Sequence, residues 1–306
     1  MFGLLTKGGP CSASLLLAVM LAACSHRSAR GAGVAPSSQG SQDMVLLPGG
    51  TFEMGTDSMS LALLLMRYLD LPPALFVQET PAHEVHLDPF YFDKREVTVE
   101  AFAAFVRTHP PWARDRIPAA ASNGKYLSSW SGDVPPANSD SLPVNFVTWY
   151  AATAYCASVG KRLPTEAEWE FAALGGQRGD VFPWGATPPT VRNANWSESG
   201  MHAPIAVAHY APNAYGLYDM AGNVWEYVAD RWRDRYSVPD TFAIVSPDSI
   251  LALRPSALLA ARGRYVIRGG SFDGGELNLR VRFRDSHPAD GAQPHVGFRC
   301  ARSPTR

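Results

Sequence analysis

The sequence predicts one long, loop-rich domain in which short helices and short strands are mixed without a repeat. The chain has 26 glycines and 25 prolines among 306 residues, whereas globular proteins average roughly 12% of the two combined. Neither residue suits the interior of a long helix or a central strand. Apolar residues make up 46% of the chain and aromatic residues 11%, which is enough to bury a core. This balance excludes a coiled coil and a wholly disordered chain.

The charge composition limits the class of partner. There are 27 Lys and Arg residues against 28 Asp and Glu residues, for a formal net charge of −1. Recognition of phosphate groups needs a basic excess in the domain or on one of its faces. The composition therefore argues against a nucleic-acid partner.

The first 42 residues are predicted to be a targeting segment. Lys7 precedes an apolar run over residues 12–23, which is too short for a membrane-spanning helix of about 20 residues. The order of charged, apolar and small residues is typical of a secretory signal. The run ends in Leu-Ala-Ala-Cys, which resembles the lipobox of bacterial lipoproteins. The resemblance implies cleavage after residue 23 and a lipid on Cys24, whereas ordinary signal cleavage is the alternative.

This interpretation divides the chain into a targeting segment and an exported domain. Residues 1–23 are the lipoprotein signal, and residues 24–42, rich in Ser, Gly, Ala and Gln, are predicted to be a flexible tether. The lipid on Cys24 would attach the protein to a membrane of the bacterial cell envelope, at the outer membrane or a periplasmic face.

The pattern of apolar and turn residues predicts the following elements in order. Thr98 is a plausible N-cap with Phe102, Phe105 and Val106 on the apolar helix face, and Thr165 with Glu168 forms a capping box. The elements are strands on either side of the Pro48–Gly50 turn, an apolar helix over 59–70, a strand over 85–93, a helix from Thr98, a loop over 109–142, helices over 149–158 and after Thr165, and strands near 266–272 and 279–284.

A series of sequence blocks then becomes specific. The blocks are VNFVTWYAATAYC at 144–156, GKRLPTEAEWE at 160–170, FPWG at 182–185, NANW at 193–196, NAYGLYDMAGNVWE at 213–226, RGGSF at 268–272 and GFRC at 297–300. Together they resemble the sulfatase-modifying factor, or formylglycine-generating enzyme, domain family over residues 43–302. The resemblance implies an irregular α+β fold, a variant of the C-type lectin fold, with little regular secondary structure. Residues 303–306 are then a short C-terminal tail.

The four cysteines divide by position. Cys11 lies within the signal, and Cys24 is the predicted lipidation site. Cys156 and Cys300 remain, and an exported protein can join them in a disulfide. Two buried free thiols are the alternative. In the family this pair corresponds to a structural bridge.

The loop from Asp219 to Glu226 is identified with a calcium-binding loop of the family. Carried over by position, the side chains of Asp219 and Glu226 and the backbone carbonyls of Gly222 and Val224 would be ligands. Calcium takes six to eight oxygen ligands of these kinds. A glycine turn with ordinary surface acids is the alternative. A second family site is matched more weakly by Asn195-Trp196, because residues 197–208 hold no clear acidic partner for it.

The best-known activity of the family needs residues that are absent here. Its active members oxidise a substrate cysteine with two cysteines that bind copper(I), a metal that prefers thiolates. The corresponding positions are Gly274 and Leu279, and no cysteine occurs from residue 157 to 299. Copper is therefore not expected. The remaining groove candidates are Ser271, Asp273, Glu276, Arg280, Arg282, Arg284, Asp285, His287 and His295.

Three further clusters have a chemical and a structural interpretation. Alternating arginines at 280, 282 and 284 predict a cationic strand face suited to a carboxylate or an acidic peptide, or else ion pairs with Asp285, Asp273 or Glu276. Glu166 and Glu170 predict a salt-bridge network with Lys161 and Arg162. His83 and His86 are predicted to face away from Glu84 and could supply half a metal site, with a plain surface strand as the alternative.

Two functions follow from these observations. The first is an exported, lipid-anchored binding or scaffolding module, stabilised by calcium, that holds a peptide or an envelope protein in its groove. The alternative is an oxidase or other modifying enzyme, formylglycine-generating-like or siderophore-maturation-like. Such an enzyme would use a metal, for example iron, held by ligands other than cysteine.

Overall fold

A computed structural model describes residues 43–177, 182–237 and 261–304. The predicted signal, the lipidation site Cys24, the tether over 24–42 and the last two residues of the tail lie outside this part. Within the described ranges, none of the helices has the length and apolar character needed to cross a bilayer.

The described residues form short elements joined by long irregular connections. None of the helices in this part exceeds ten residues, which confirms the predicted α+β class with little regular secondary structure. In chain order the elements are β1 (Met44–Leu47), β2 (Gly50–Met54), α1 (Ser58–Arg67), α2 (Ala74–Val77), β3 (His83–Leu87), β4 (Phe90–Asp93), α3 (Val99–Thr108), α4 (Trp149–Ser158), α5 (Glu166–Leu174), β5 (Trp225–Arg231), β6 (Arg264–Arg268), β7 (Arg284–Pro288), β8 (Val296–Gly297) and β9 (Ala301–Arg302).

Hydroxyl side chains begin the helices as the sequence predicts. The Thr98 hydroxyl accepts from the backbone N–H of Ala101 at 3.2 Å. At α5, Thr165 Oγ1 accepts from the N–H of Glu168 at 3.1 Å, and the Glu168 carboxylate accepts from the N–H of Thr165 at 2.8 Å. Each bond satisfies a backbone donor that the first helical turn leaves free. Both capping predictions are confirmed.

Two strand predictions are wrong in their extent. The predicted strand over 85–93 is two strands, because Pro89 has no N–H to donate to a continuous ladder; β3 pairs with β2, whereas β4 lies between β1 and β9. The predicted strand near 279–284 is instead a short 3₁₀ helix over Glu276–Leu279 followed by a turn, with β7 starting at Arg284.

The four-stranded sheet positions the candidate sites. Its order is β7-β6-β5-β8, and Glu226 at the start of β5 lies opposite Arg268 at the end of β6. The parallel pairing of β5 with β8 sets Trp225 beside Val296. The predicted calcium loop therefore lies at the end of the sheet where β5 begins. The groove candidates that follow β6 and precede β8 lie at the same end.

The helices and the chain end pack on this sheet around an aromatic core. Phe102, Trp149, Tyr227 and Phe298 are fully or almost fully buried in one apolar cluster. The same cluster contains Cys156 and Cys300, whose Sγ atoms lie 1.98 Å apart in a disulfide. The bond ties α4 to the last strand of the domain across 144 positions of sequence.

Candidate functional site

The groove candidates centre on one carboxylate after β6. The Ser271 hydroxyl donates to Asp273 Oδ1 at 2.6 Å, and His295 Nδ1 lies 3.1 Å from Asp273 Oδ2. The Asp273 side chain is 48% exposed and that of His295 is 30% exposed. Because the serine proton is held by the carboxylate and not by the imidazole, this order does not activate the serine as a nucleophile. The cluster can bind a ligand that carries donors or a positive charge.

Gly274 and Leu279, the positions predicted to replace the family's catalytic cysteines, lie in packed surroundings. Leu279 is fully buried in an apolar cluster with Phe182 and Trp196. Gly274 lies in the turn after Asp273, and a Cβ at this position would come within 3.0 Å of Asn278 Oδ1. Position 279 therefore contributes to packing, and position 274 has little room for a side chain.

The predicted cationic face of the three arginines is wrong. Residues 280–283 are not in a strand, and the Arg280 and Arg284 side chains are buried. Arg280 Nη2 lies 2.5 Å from Glu79 Oε2, and Arg284 Nη2 lies 2.7 Å from Glu166 Oε2. The alternative of ion pairing is correct in kind, but the acids come from distant segments.

The acids proposed as their partners lie elsewhere. Glu276 pairs with Arg67 of α1 at 2.5 Å, and Asp285 is exposed, with Oδ1 accepting from the N–H of Ser286 at 2.6 Å. Arg282 Nη1 donates to the carbonyl of Gly55. Ion pairs, hydrogen bonds and packing therefore account for the arginines at 280, 282 and 284. These side chains do not form part of the groove.

The acids of α5 also take other partners than predicted. Lys161 pairs with Asp93 at 2.6 Å, and Arg162 with Glu168 at 2.6 Å. Glu170 instead pairs with Arg268 at 2.5 Å, where both side chains are fully buried. The predicted salt-bridge network exists, but the cations that pair with Glu166 and Glu170 come from strands of the four-stranded sheet, because α5 packs against that sheet.

The predicted calcium loop has an unusual backbone. Asp219, Gly222 and Asn223 have φ values of +52°, +84° and +61°, and a Cβ on Gly222 would lie 2.3 Å from the carbonyl oxygen of Asn195. Asp219 Oδ2 accepts from the N–H of Ala208 at 2.6 Å. The close approach requires glycine at this position and turns the loop tightly.

The Glu226 carboxylate is held by one guanidinium and one indole N–H from the core. Arg299 donates to Glu226 Oε1 at 2.6 Å and to Oε2 at 2.8 Å, and Trp169 Nε1 donates to Oε2 at 2.8 Å. Bidentate contacts between a guanidinium and a carboxylate fix the orientation of the carboxylate.

Glu96 is a residue of this site that the sequence did not indicate. Its Oε1 accepts from Asn223 Nδ2 at 3.0 Å, whereas the buried Oε2 has no hydrogen-bond partner among the described residues. Burial, and repulsion from Asp219 and Glu226, raise the pKa of the Glu96 carboxyl well above its usual value. Glu96 and Asn223 are 127 positions apart, so no local spacing could have linked them.

The composition of this cluster fits a hard cation. Glu96, Asp219 and Glu226 meet a single guanidinium, Arg299, whose Nη2 lies 4.0 Å from the unpartnered oxygen of Glu96. Carboxylates in excess of cations, together with backbone carbonyls, are typical of calcium ligands. Among the described residues, no group of three His, Cys, Asp or Glu side chains stands in metal-holding geometry, but two of the four predicted ligands are backbone carbonyls.

The weaker candidate pair has other contacts. Asn195 Oδ1 accepts from the Ser199 hydroxyl at 2.8 Å, and its Nδ2 donates to the Ala203 carbonyl at 2.9 Å. Trp196 is buried. The side-chain oxygen that would bind a second cation is thus engaged in a tight turn.

The remaining histidines are distributed over the fold. His287 packs against Tyr227 with ring centres 6.1 Å apart, and burial lowers the pKa of the His287 imidazole to about 4. His86 Nδ1 lies 3.1 Å from Thr51 Oγ1. His86 shares the exposed face of β3 with Glu84, because residues two apart point the same way; the expectation that it faces away is wrong. His83 lies on the other face.

Comparison with known proteins agrees with the sequence blocks. Residues 32–304 match the sulfatase-modifying factor enzyme 1-like domain. The formylglycine-generating enzyme of Thermomonospora curvata is 34% identical over 308 residues, which cover 85% of this chain and 93% of that protein. The inactive C-alpha-formylglycine-generating enzyme 2 of Bos taurus is 33% identical over 85% of this chain and 87% of its own length.

A solved structure has the same fold. PvdO from Pseudomonas aeruginosa superimposes with a TM-score of 0.60, at 24% identity, over 85% of this chain and 94% of that one. At this identity the likeness supports the fold alone. Together with the family match, it establishes the irregular C-type lectin-like architecture. The chain belongs to the sulfatase-modifying factor enzyme 1-like domain family.

Proposed function

We propose that this protein is an exported, lipid-anchored binding module that holds an envelope polypeptide in the groove beside Asp273. It keeps the formylglycine-generating fold without copper-thiolate oxidation. In this proposal a lipid on Cys24 retains the protein at the membrane, and calcium stabilises the loop from Asp219 to Glu226.

One observation carries the proposal. No cysteine occurs from residue 157 to 299, where the family pattern predicts the copper ligands at Gly274 and the fully buried Leu279. The two cysteines of the domain, Cys156 and Cys300, are joined to each other. No thiolate pair is then left for copper(I), which prefers such ligands. The likeness to an inactive relative at 33% identity supports the same interpretation.

The groove chemistry supports binding of a polypeptide. Asp273 is half exposed and accepts from Ser271 with one oxygen, and its other oxygen lies beside the partly exposed His295. A carboxylate at this depth can accept from the backbone N–H groups or basic side chains of an extended segment. Neither contact requires a reaction.

The proposed calcium would be held by residues of this chain alone. Asp219, Glu226 and the carbonyls of Gly222 and Val224 would bind it, with the unpartnered oxygen of Glu96 as a further ligand. When bound, calcium would supply positive charge against three buried carboxylates and would lower their mutual repulsion. At a free concentration a hundred times the Kd, such binding adds about 2.7 kcal/mol to the free energy of unfolding.

The first test asks whether the groove performs copper chemistry. We expect the purified protein, supplied with copper(I), oxygen and a cysteine-containing peptide, to consume no oxygen above background, while the Thermomonospora curvata enzyme serves as positive control. Elemental analysis should find calcium and no stoichiometric copper or iron. Oxygen consumption that persists in the Cys156→Ser/Cys300→Ser variant would refute the proposal.

A second test addresses the binding role directly. A photo-crosslinking amino acid at position 275, which is exposed and has open space around a Cβ, leaves Asp273 in place and should attach an envelope polypeptide in living cells. The same group at Val134, which is 65% exposed in the loop over 109–142, is the matched control. Equal crosslinking from both positions, or none from 275, would contradict a binding groove.

The alternative function is an oxidase with a metal held without cysteines. The contact between Asp273 and His295 favours it, because a carboxylate and an imidazole are common iron ligands. Stoichiometric iron that is lost in both Asp273→Ala and His295→Ala would favour this function over the binding module.

Membrane attachment is tested separately. Radiolabelled palmitate should be incorporated into the wild-type protein and not into Cys24→Ser. Incorporation into both would place the lipid on another residue.

A further inference from the structure

A second cavity lies beside β2, away from the groove. Its volume is about 660 Å³, within the range of about 300–1,000 Å³ that is usual for small-molecule sites. Of the residues predicted for the groove, Arg282 alone is among its described lining residues, and its contact with Gly55 places it outside the groove. The side chains that define what we term the Phe171 cavity are Phe52, Phe171, Tyr215, Glu53, Glu84 and Arg282.

One wall of the Phe171 cavity is aromatic. The rings of Phe52 and Phe171 meet edge to face, with centres 5.4 Å apart, and those of Phe171 and Tyr215 are stacked at 5.7 Å. Phe171 is buried and Tyr215 is partly exposed. This wall offers apolar area together with ring faces, which attract cations through their quadrupoles.

Two carboxylates also line the Phe171 cavity. Glu53 of β2 lies directly opposite Glu84 of β3 in the antiparallel register, and both side chains are exposed. Like charges in directly opposed positions destabilise a strand pair. A positive charge placed between them would remove this repulsion.

The described residues supply part of that charge. Arg282 Nη1 lies 3.8 Å from Glu53 Oε1, but the same nitrogen donates to the Gly55 carbonyl. Within the described residues, Glu84 forms no ion pair. The described lining of the cavity thus has two negative charges and one positive charge, and the carboxylate without a cationic partner there is that of Glu84.

We propose that the Phe171 cavity binds a small organic cation, an ammonium group carried on a short apolar body. The ammonium lies between the carboxylates of Glu84 and Glu53, and the apolar body covers the rings of Phe171 and Tyr215. An anion meets the two carboxylates and is repelled, whereas a neutral molecule leaves the repulsion between them in place. This site is independent of the proposed function of the groove.

Three probes with the same pentyl chain test the charge requirement. Pentylammonium, 1-pentanol and hexanoate share one apolar body and differ only in the head group. By ligand-detected NMR on the full protein, we expect pentylammonium to bind at least about fivefold more tightly than pentanol, in keeping with the strength of partly exposed cation–π contacts and ion pairs. Hexanoate should not bind. Equal binding of the amine and the alcohol would overturn the proposal, as would no binding of the amine.

Single substitutions locate the site. Glu84→Gln should weaken pentylammonium about fivefold and leave pentanol unchanged, and Tyr215→Ala should weaken both. Glu100→Gln removes a carboxylate from an equally exposed position on α3 and serves as matched control. Because Glu84 is exposed, its variant should fold, which far-ultraviolet circular dichroism can verify. Equal losses in Glu84→Gln and Glu100→Gln would also overturn the assignment.

Discussion

Charged side chains have opposite roles in two regions of this molecule. Beneath the four-stranded sheet, Arg268 and Glu170 are fully buried and 2.5 Å apart. In the groove, Asp273 is 48% exposed, and its partners among the described residues are Ser271 and the 30% exposed His295. In the sequence both regions are rows of acids and bases near the same strands. Their difference teaches that solvent exposure and the number of partners, not residue type, separate a structural charge from one that can meet a ligand.

In the buried region, Arg268 and Glu170 neutralise each other, and further hydrogen bonds support the pair. Arg268 also donates to the carbonyls of Phe283 and Val281, both at 3.0 Å. A buried ion pair offsets its desolvation only when such additional hydrogen bonds are present. Asp273 keeps water on one side and needs no such arrangement. The two regions should therefore respond very differently to the loss of one charge.

Removal of the central guanidinium should give the largest effect. Arg268→Ala leaves the Glu170 carboxylate buried without its cation, which typically costs about 3–5 kcal/mol. We expect this loss in the free energy of unfolding, measured by urea titration. A cost below about 1 kcal/mol would show that water enters the sheet and would break the comparison.

The glycine of the predicted calcium loop should give the next effect. In Gly222→Ala the new residue has to adopt a φ of +84°, and its Cβ meets the carbonyl of Asn195. Backbone strain of this kind costs about 1–3 kcal/mol. The midpoint of thermal unfolding should fall accordingly. Gly124→Ala, at a φ of +83° with open space around the Cβ position, is the matched control and should cost less.

His287 tests an intermediate degree of burial. Burial lowers the pKa of its imidazole to about 4, so the folded protein keeps it neutral at a pH where the unfolded chain, with a pKa near 6.5, binds a proton. Its contribution to stability is therefore lost as pH falls from about 6.5 towards 4. Between pH 7 and pH 5, the full shift would make wild type lose about 2 kcal/mol more than His287→Gln. Solvent screening at this partly exposed ring reduces the expected difference to about 1 kcal/mol. Urea titrations at the two pH values measure this difference, and parallel losses would contradict it.

The groove should give the smallest effect on stability. Asp273→Asn removes an exposed charge, and such substitutions usually change the free energy of unfolding by less than about 0.5 kcal/mol. The same variant should lose crosslinking from a neighbouring groove position. Loss of more than about 2 kcal/mol would place Asp273 with the buried charges instead.

Local features of the fold were predictable because they depend on neighbouring residues. The caps at Thr98 and Thr165 use side chains three positions from the backbone groups that they bind, and such bonds follow from spacing alone. The break at Pro89 was missed, since the alternation of apolar residues continues across it. The N–H that proline lacks interrupts a strand only where a neighbouring strand would accept from it. The sequence alone does not identify that neighbouring strand.

Charge partners were not predictable, because they depend on packing between distant segments. Glu79 meets Arg280 across 201 positions and Glu166 meets Arg284 across 118. The sequence indicated the calcium loop through the family pattern of residues 219–226. It did not indicate Glu96, which reaches the loop only through the packing of the first strands on the sheet.

The disulfide has a consequence for the integrity of the domain. Because it joins Cys156 to Cys300, the groove, the predicted calcium loop and α5 all lie on one covalent ring. A protease that cuts the ring once opens it but releases no fragment. A nicked molecule would migrate as one band on a gel without reductant and as two bands with it. Cleavage within residues 157–299 would therefore leave the two halves of the domain covalently joined.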